Sequence, residues 1–287
     1  MMKLLLLGTT GFIGKNIKEA WTGRYDLYTP SRSELNLLDN EAVEHYLRAG
    51  HFDVIVHMAN ANLLTHPEWT PCALEYNLRM FCNLERCKNL YGRMLYFGSG
   101  AEYDMEHYAP QMKESYFGTH IPKDPYGFSK YIMAKMAKGN VYDLRLFGVF
   151  GKYEEWQRRF ISNVIYQNLT GKIVWINQNM YFDYLYIEDL IPILEWFLTH
   201  QPKHHHYNVC SGRRVELLSL ARMVVEETGK PAEIAIRQEG LKPEYTGDNS
   251  RLQAELGPLR ITPMRTAVQE LIQNYRKNGF QELESNT

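Results

Sequence analysis

Short apolar runs alternate with amphipathic segments along the first half of the chain. The runs have the length and composition of buried strands, and the segments between them carry apolar residues at helical spacing. This alternation predicts an α/β fold with a parallel, doubly wound sheet. The predicted strands are 3–7, 26–29, 53–57, 94–97 and 141–146, and the predicted helices between them are 15–21, 41–48, 74–89 and 126–138.

The alternation weakens after Gly151. Helical spacing recurs at 158–169, 187–198, 217–227 and 265–277, with one strand-like run at 173–176. The second half is therefore predicted to form a smaller α/β segment.

Three glycines lie between the first predicted strand and the first predicted helix, in the segment GTTGFIG. The spacing of Gly8, Gly11 and Gly14 lets the chain turn out of the strand, approach a pyrophosphate with its backbone and pack the helix closely. The N-terminus of that helix offers N–H groups and a partial positive charge to phosphates. The pattern predicts a dinucleotide site.

The end of the second strand bears on the choice between NAD and NADP. A carboxylate about 20 residues beyond the glycines binds the ribose hydroxyls of NAD, whereas an arginine suits the extra phosphate of NADP. The segment TPSRSE has no acid at the strand end, and Arg32 stands just beyond it. This favours NADP. The alternative is NAD, with Glu34 on the ribose and Arg32 as a solvated loop residue.

A tyrosine and a lysine four residues apart begin the fourth predicted helix. Tyr126 and Lys130 share one helix face, so the Lys130 ammonium can stabilise the Tyr126 phenolate. An ordinary tyrosine has a pKa of about 10 and needs such help for acid–base chemistry near neutral pH. Asp124 and Pro125 are typical residues for a helix start. Ser99 follows the fourth strand, at the edge where parallel sheets place their sites. The set predicts acid–base chemistry at a substrate oxygen.

The order of these motifs resembles the extended short-chain dehydrogenase/reductase superfamily, and more narrowly the NAD-dependent epimerase/dehydratase family that acts on nucleotide sugars. VIVHMANAN, LRLFGVFGKY, FDYLYIEDL and YNVCSGRRVELLSLA extend the resemblance over nearly the whole chain. It implies a Rossmann-type NAD(P)-binding domain over 1–151 and a smaller C-terminal substrate domain over 152–287, with about 182–207 returning to the first. It also implies that Ser99, Tyr126 and Lys130 are catalytic.

The resemblance further places residues at the cofactor. Asn60 is expected near the nicotinamide ribose and Asp39 near the adenine. All expected cofactor contacts are Gly8, Thr10, Gly11, Phe12, Ile13, Gly14, Arg32, Leu38, Asp39, Ala59, Asn60, Asn77, Tyr126 and Lys130.

The substrate side departs from the family pattern at one position. Phe182 replaces the arginine of the family segment RDFVYVDDL, which often helps to bind the nucleotide. Arg213, Arg214 or Arg251 would then reach a diphosphate, with Ser99 at the sugar; ordinary surface arginines are the alternative.

Within the family, RSELNLLDNEAV is similar to a stretch of GDP-L-fucose synthases, which epimerise and then reduce a 4-keto sugar. Ala101 stands where those enzymes have a cysteine, and Glu102 comes one place too late for the dehydratase pattern. Reduction of a nucleotide-linked 4-keto sugar and 4-epimerisation remain, and the short chain and Arg32, which suits NADPH, favour reduction. The alternatives are 4-epimerisation with retained NAD and a non-catalytic NAD(P)-binding sensor.

Composition and charge argue against nucleic acid and membranes as partners. The net charge of −1 gives no basic excess for nucleic acid, and no run approaches the roughly 18 apolar residues of a membrane span. The four cysteines lack metal-ligand spacing, and the histidines at 204–206 are interpreted as a loop, so no metal is expected. We expect a cytoplasmic enzyme and, from the resemblance, a homodimer that pairs helices 74–89 and 126–138.

Overall fold

The computed structural model describes residues 1–61 and 72–280, which form eleven strands and nine α-helices. In chain order these are β1 (Lys3–Leu7), α1 (Phe12–Trp21), β2 (Asp26–Tyr28), α2 (Asn40–Gly50), β3 (Val54–His57), α3 (Ala73–Glu85), β4 (Arg93–Ser99), α4 (Pro125–Met136), β5 (Val141–Leu146), β6 (Gly148–Phe150), α5 (Phe160–Leu169), β7 (Val174–Asn179), β8 (Tyr181–Tyr186), α6 (Ile187–Thr199), β9 (His206–Val209), β10 (Arg214–Glu216), α7 (Leu217–Thr228), β11 (Ile234–Leu241), α8 (Ser250–Leu256) and α9 (Met264–Asn278).

Contacts between residues divide the chain into two compact units. The first unit holds Met1–His107, Glu114–Leu146 and Glu195–Asn208. The second unit holds Tyr108–Lys113, Phe147–Leu194 and the chain from Val209 on.

The first unit is built on a six-stranded sheet with the strand order β2-β1-β3-β4-β5-β9. β1 pairs in parallel with β2 and with β3, and parallel pairing continues through β4 to β5. The strand order reverses between β1 and β3, which is where open α/β sheets bind their ligands. The predicted parallel, doubly wound, Rossmann-type sheet is confirmed.

The core of the first unit lies between this sheet and α2, α3 and α4. Every residue of β3 and β5 is buried, as is usual for strands of a parallel sheet that is covered on both faces. The helices contribute one apolar stripe each, which is why helical spacing identified them. The main cluster includes Leu5, Leu7, Val43, Leu47, Ile55, Phe81, Leu84, Met94, Tyr96 and Met133.

The third helix is shorter than its apolar spacing predicts. α3 ends at Glu85, and Lys88–Leu90 form a 3-10 turn instead of a last helical turn. The buried Tyr91 donates its hydroxyl to the Leu84 carbonyl oxygen at 3.1 Å and so satisfies a helix-end acceptor.

The second unit contains two small sheets, β10-β8-β6 and β11-β7. β8 covers the aromatic segment 181–186, whose alternation is consistent with a strand. β11 has no apolar alternation, since most of its residues are exposed, and sequence reasoning did not predict it. It pairs in parallel with β7, and the helices α5, α7 and α9 pack together beside these sheets.

A buried carboxyl group lies in the second unit. Glu154 is 2% exposed and accepts a hydrogen bond from Ser162 Oγ, which in turn accepts one from the Tyr275 hydroxyl at 2.7 Å. Burial raises the pKa of Glu154 to about 7, against the opposing hydrogen bond from Ser162. Folding therefore favours the protonated acid, and the protein loses stability as the pH rises from the ordinary carboxyl range through 7.

We expect Glu154→Gln, which cannot ionise, to gain stability relative to the wild type by about 3 kcal/mol between pH 4 and pH 8. Urea unfolding of both proteins across this range measures the difference. Glu155→Gln is the matched control and should keep the pH dependence of the wild type. A difference between Glu154→Gln and wild type that does not change with pH would contradict the assignment.

Candidate active site

The glycine loop connects β1 to α1 and lies against the chain that follows β3. Gly8 has a φ of +92°, and a Cβ there would lie 2.7 Å from the backbone nitrogen of Ala59. A Cβ on Gly14 would lie 2.2 Å from the Gly8 carbonyl oxygen. Backbone atoms thus leave room only for glycine at both positions. The loop is held at the point where the strand order reverses.

Gly11 differs from the other two glycines. Among the atoms of residues 1–61 and 72–280, a Cβ there would meet none nearer than the Gly8 carbonyl oxygen at 3.6 Å. Gly11 is the N-cap of α1, and no side chain caps the first turn of that helix. Its N–H groups are therefore left for a phosphate. Thr10 is exposed, Phe12 and Ile13 are half-buried, and the loop fits the pyrophosphate of a dinucleotide.

Beyond β2 the chain forms a tight turn that carries Arg32. The Glu34 carboxylate accepts hydrogen bonds from the Ser31 N–H at 2.7 Å and the Ser31 hydroxyl at 2.8 Å. These two bonds lower the pKa of Glu34. Arg32 is exposed. Glu34 is thus engaged within the turn, and a contact between Arg32 and the cofactor stays a prediction.

Leu38 and Asp39 precede α2. Asp39 Oδ1 accepts hydrogen bonds from the N–H groups of Glu41 and Ala42, each at 3.0 Å, and so caps the helix. Leu38 is half-buried. The expected approach of Asp39 to an adenine stays a prediction beside this capping role.

Two asparagines shape the loop that follows β3. Asn77 is 3% exposed, and its Oδ1 accepts a hydrogen bond from the Ala61 N–H at 2.6 Å. Asn60 Oδ1 is buried and has no donor among residues 1–61 and 72–280. A buried oxygen without a partner is costly. Asn60 therefore fits a ligand hydroxyl next to Ala59, as the expected nicotinamide ribose would supply.

Ser99 ends β4 and begins a 3-10 turn, Gly100–Glu102. Its Oγ accepts a hydrogen bond from the Ala101 N–H at 3.1 Å, and its own N–H donates to Glu102 Oε1 at 2.9 Å. These reciprocal bonds form a capping box. In the part of the chain that the structure describes, the Ser99 hydroxyl hydrogen has no acceptor, so this group could donate to a ligand oxygen.

Tyr126 lies in the first turn of α4 and is 38% exposed. Asp124 caps this helix by accepting the Gly127 N–H at 2.8 Å. A Cβ on Gly127 would lie 2.7 Å from the Ala101 carbonyl oxygen, so α4 begins against the turn that follows Ser99. The phenol and the serine hydroxyl therefore belong to the same edge of the sheet.

Lys130 lies one turn along α4 and is 5% exposed. Its Nζ donates to the Phe97 carbonyl oxygen at 2.9 Å and lies 5.8 Å from the centroid of the Tyr126 ring. Burial lowers the pKa of Lys130 to about 8, against two buried carboxyl groups nearby that raise it. Because Phe97 is two residues before Ser99, the structure gathers all three predicted catalytic residues around the carboxyl end of β4.

Sequence reasoning gave no role to the buried rings behind these residues. His57 ends β3 and is 2% exposed. Burial, and then the charge of Lys130, lowers its pKa to about 3, so the imidazole stays neutral near pH 7. The Lys130 ammonium lies 4.7 Å from the centroid of the Tyr96 ring, within cation–π distance.

A buried ion cluster behind Ser99 was also missed. Arg145 Nε donates to Glu102 Oε2 at 2.5 Å and to Asp143 Oδ2 at 3.0 Å. The available signal was the segment VYDLRL, which places an acid and an arginine inside an apolar strand. Charged side chains in such a strand must be paired to be buried.

The predicted substrate arginines lie in the second unit. Asp183 in β8 accepts hydrogen bonds from the N–H and the hydroxyl of Ser211 at 2.8 and 2.7 Å, which orders the loop before Arg213. Arg213 is exposed and Arg251 is half-buried in α8. Phe182 packs its ring against neighbouring tyrosine rings.

The interpretation of the histidine run as a loop needs one correction. His206 begins β9, and its Nδ1 lies 3.2 Å from Asp143 Oδ2, so a strand contact fixes it. Within the described ranges no group of three His, Cys, Asp or Glu residues could hold a metal. The same ranges contain no helix long and apolar enough to cross a membrane.

Known proteins resemble this chain over most of its length. An ADP-L-glycero-D-manno-heptose-6-epimerase of Pseudomonas paraeruginosa is 25% identical over 269 residues, which cover 81% of this chain and 80% of the relative. A GDP-L-colitose synthase of Yersinia pseudotuberculosis is 23% identical, over 79% of this chain and 82% of the relative. A GDP-L-fucose synthetase from Naegleria fowleri, solved with NADP bound, superimposes with a TM-score of 0.83 at 14% identity and covers 96% of this chain and 92% of that one.

The fold is that of the Rossmann-type, extended short-chain dehydrogenase/reductase enzymes. A family model for the NAD dependent epimerase/dehydratase family matches residues 4–210, and the chain belongs to that family. The resemblance, the enzyme class and the nicotinamide type of cofactor expected from the sequence are thereby confirmed.

Proposed function

We propose that this enzyme is an NADP-dependent reductase of a nucleotide-linked 4-keto sugar. The observation that carries the proposal is the position of Lys130, which is buried beside Tyr126 and tied to the strand that ends at Ser99. This arrangement suits proton donation to a carbonyl oxygen. Glu102 and Ala101 do not supply the further acid–base pair that dehydration or double epimerisation needs.

Each residue of the set has one role in this proposal. Ser99 donates its hydroxyl hydrogen to the carbonyl oxygen, and Tyr126 transfers its proton to the same oxygen as the alcohol forms. Lys130, as the ammonium, favours the phenolate that remains until water returns the proton. NADPH, when bound, supplies the hydride for the carbonyl carbon.

The first unit would bind the cofactor, as predicted for 1–151. The pyrophosphate would lie on the N–H groups that follow Gly11, and Asn60 would meet the nicotinamide ribose. The 2′-phosphate would lie at Arg32. The fucose synthetase of similar fold was solved with NADP bound, which supports this choice.

The second unit would bind the nucleotide part of the substrate, as predicted for 152–287. The two curated relatives are named for nucleotide-linked sugars, which supports this substrate class. Arg213 and Arg251 are the proposed diphosphate contacts. The homodimer through α3 and α4 and the cytosolic location stay predictions.

Epimerisation with retained NAD is the second candidate, because one relative is named as a heptose epimerase. It needs the same three residues and a cofactor that stays bound between turnovers. Mass spectrometry of the nucleotide released from the protein as purified separates the candidates. Stoichiometric NAD would favour the epimerase, and an empty protein would favour the reductase.

Arg32→Ala is expected to lower the affinity for NADPH about tenfold and to leave that for NADH within about twofold. The reason is that only NADPH carries the phosphate that the guanidinium would bind. Titration by nicotinamide fluorescence measures both affinities. Arg48→Ala, which removes an exposed arginine of α2 paired with Glu44, is the matched control and should change neither. An equal loss for both cofactors would place Arg32 outside the phosphate site.

A further inference from the structure

Two carboxyl groups lie against each other behind Ser99. Glu102 and Asp143 are both 0% exposed, and one oxygen of each faces the small space beside Gly98. A Cβ on Gly98 would lie 2.0 Å from Asp143 Oδ1 and 2.2 Å from Glu102 Oε1. The two oxygens therefore converge on the space that any larger residue at position 98 would fill.

The four carboxyl oxygens have different partners. Glu102 Oε1 accepts the Ser99 N–H at 2.9 Å, and Glu102 Oε2 accepts Arg145 Nε at 2.5 Å. Asp143 Oδ2 accepts Arg145 Nε at 3.0 Å and faces His206 Nδ1. Asp143 Oδ1 has no N–H donor among the described residues. It faces Glu102 Oε1 across the space beside Gly98, and a hydrogen bond between two such carboxyl oxygens requires a proton.

The charges around the pair agree with one proton. Arg145 is the ion-pair partner of both carboxyl groups, and it also donates to the Tyr103 hydroxyl at 2.9 Å. His206 faces Asp143 from β9, and Lys130 and Tyr96 face the pair from α4 and β4. Two adjacent buried carboxyl groups do not both ionise readily. Burial, and then the charge of Asp143, raises the pKa of Glu102 well above its usual range.

We propose that Glu102 and Asp143 share one proton, and that Glu102 is thereby the positioning residue that holds Ser99 toward the substrate carbonyl oxygen. Glu102 acts through the Ser99 N–H, so it fixes the backbone from which the hydroxyl projects. This second part rests on the role proposed above for Ser99. Arg145 and Asp143 hold the Glu102 carboxyl group in place for this bond.

The partners of the four carboxyl oxygens predict that Asp143→Asn and Glu102→Gln, which are both isosteric, have different effects on the hydrogen bonds of the pair. In Asp143→Asn the amide nitrogen can take the place of Oδ1 and donate to Glu102 Oε1, as the shared proton does. In Glu102→Gln the amide nitrogen must face either the Ser99 N–H or Arg145 Nε, and either choice sets two donors against each other. Asp143→Asn preserves the arrangement and Glu102→Gln breaks it.

Infrared difference spectroscopy tests the shared proton without substrate or cofactor. The wild-type protein at pH 8 should show the C=O stretch of a protonated carboxylic acid, shifted in D₂O. That band should be absent from Asp143→Asn, because a single remaining carboxyl group beside Arg145 is ionised. An identical band in both proteins would overturn the shared proton.

Turnover of a GDP-linked 4-keto-6-deoxyhexose with NADPH tests the positioning role. Asp143→Asn should keep kcat within about threefold, and Glu102→Gln should lower it about tenfold with unchanged NADPH affinity. In a Ser99→Ala background, Glu102→Gln should lower kcat less than about twofold, because the residue through which it acts is gone. The same loss in both backgrounds would show a merely structural role and overturn the proposal.

Different results would overturn the proposed role of Ser99 and the proposed shared proton. If Ser99→Ala alone leaves turnover unchanged, the proposed function of Ser99 fails, and the infrared band still decides the shared proton. If Glu102→Gln does not fold, Glu102→Asp replaces it, because the shorter acid keeps the charge and withdraws the acceptor from the Ser99 N–H. Glu102→Asp should then show the same dependence on Ser99, and equal losses in both backgrounds would again overturn the positioning role.

Discussion

Replacement of Tyr126 by phenylalanine is expected to lower kcat for a GDP-linked 4-keto-6-deoxyhexose by about 100-fold or more. The variant removes the hydroxyl that is proposed to give its proton to the carbonyl oxygen, and it keeps the ring near Lys130. Because the proposed pyrophosphate site is at the glycine loop and phenylalanine keeps the ring of Tyr126, the affinity for NADPH should stay within about twofold. Stopped-flow measurement of NADPH oxidation and fluorescence titration give the two values.

Tyr116→Phe is the matched control for this experiment. Tyr116 is 46% exposed in the same unit and has no place in the proposed chemistry, so its loss should leave kcat unchanged. Turnover of Tyr126→Phe at the wild-type rate would remove Tyr126 as the acid. A parallel loss of NADPH binding would instead show that the variant had damaged the cofactor site.

The parts of the fold that sequence predicted are those that repeat a simple physical pattern. β1 and β3 lie inside the parallel sheet, and their sequences are short, mostly apolar runs. α2 and α3 have one buried stripe each. β11 was not predicted because it is a mostly exposed strand, so its side chains show no apolar alternation. Its backbone hydrogen bonds to β7 stabilise it instead.

The residues of the candidate site likewise fall into those with a local sequence pattern and those without one. Gly8, Gly14, Tyr126 and Lys130 were found because their chemistry depends on local spacing, which a sequence displays. Glu102 and Asp143 are 41 positions apart and meet only because β4 pairs with β5 and Gly98 leaves a gap between them. No local pattern encodes such a meeting, although an acid within VYDLRL indicates that a partner exists.

The local geometry also shows why the lysine and the carboxyl pair are linked. Burial alone favours a neutral amine at Lys130, and the carboxyl pair opposes that effect. The pKa of about 8 that results keeps most of Lys130 charged near pH 7, which is the form that favours a Tyr126 phenolate. A buried negative charge behind Ser99 thus supports the lysine as well as the serine.

Substitutions in the glycine loop should also have large effects. Gly11→Ala should lower the affinity for NADPH, whereas Gly14→Ala should lower the stability of the fold. A Cβ at Gly11 has room in the ligand-free protein, and its φ of −77° suits any residue, so Gly11→Ala should fold with an unchanged melting temperature. The added methyl group occupies the approach of the pyrophosphate, and we expect NADPH affinity to fall by more than about tenfold.

Gly14→Ala is expected to damage the fold itself, because its Cβ would lie 2.2 Å from the Gly8 carbonyl oxygen and 2.7 Å from Thr9 Cα. The backbone of the glycine loop at Gly8 and Thr9 must move away from α1 to admit it, at a cost of about 3 kcal/mol or more in the free energy of unfolding. Urea unfolding without ligand and NADPH titration, applied to both variants, separate the two effects. Loss of stability in Gly11→Ala would contradict the room for a Cβ at that position. Retained NADPH affinity in the same variant would show that the pyrophosphate does not bind at this helix N-terminus. Normal stability in Gly14→Ala would contradict the close packing of the glycine loop against α1.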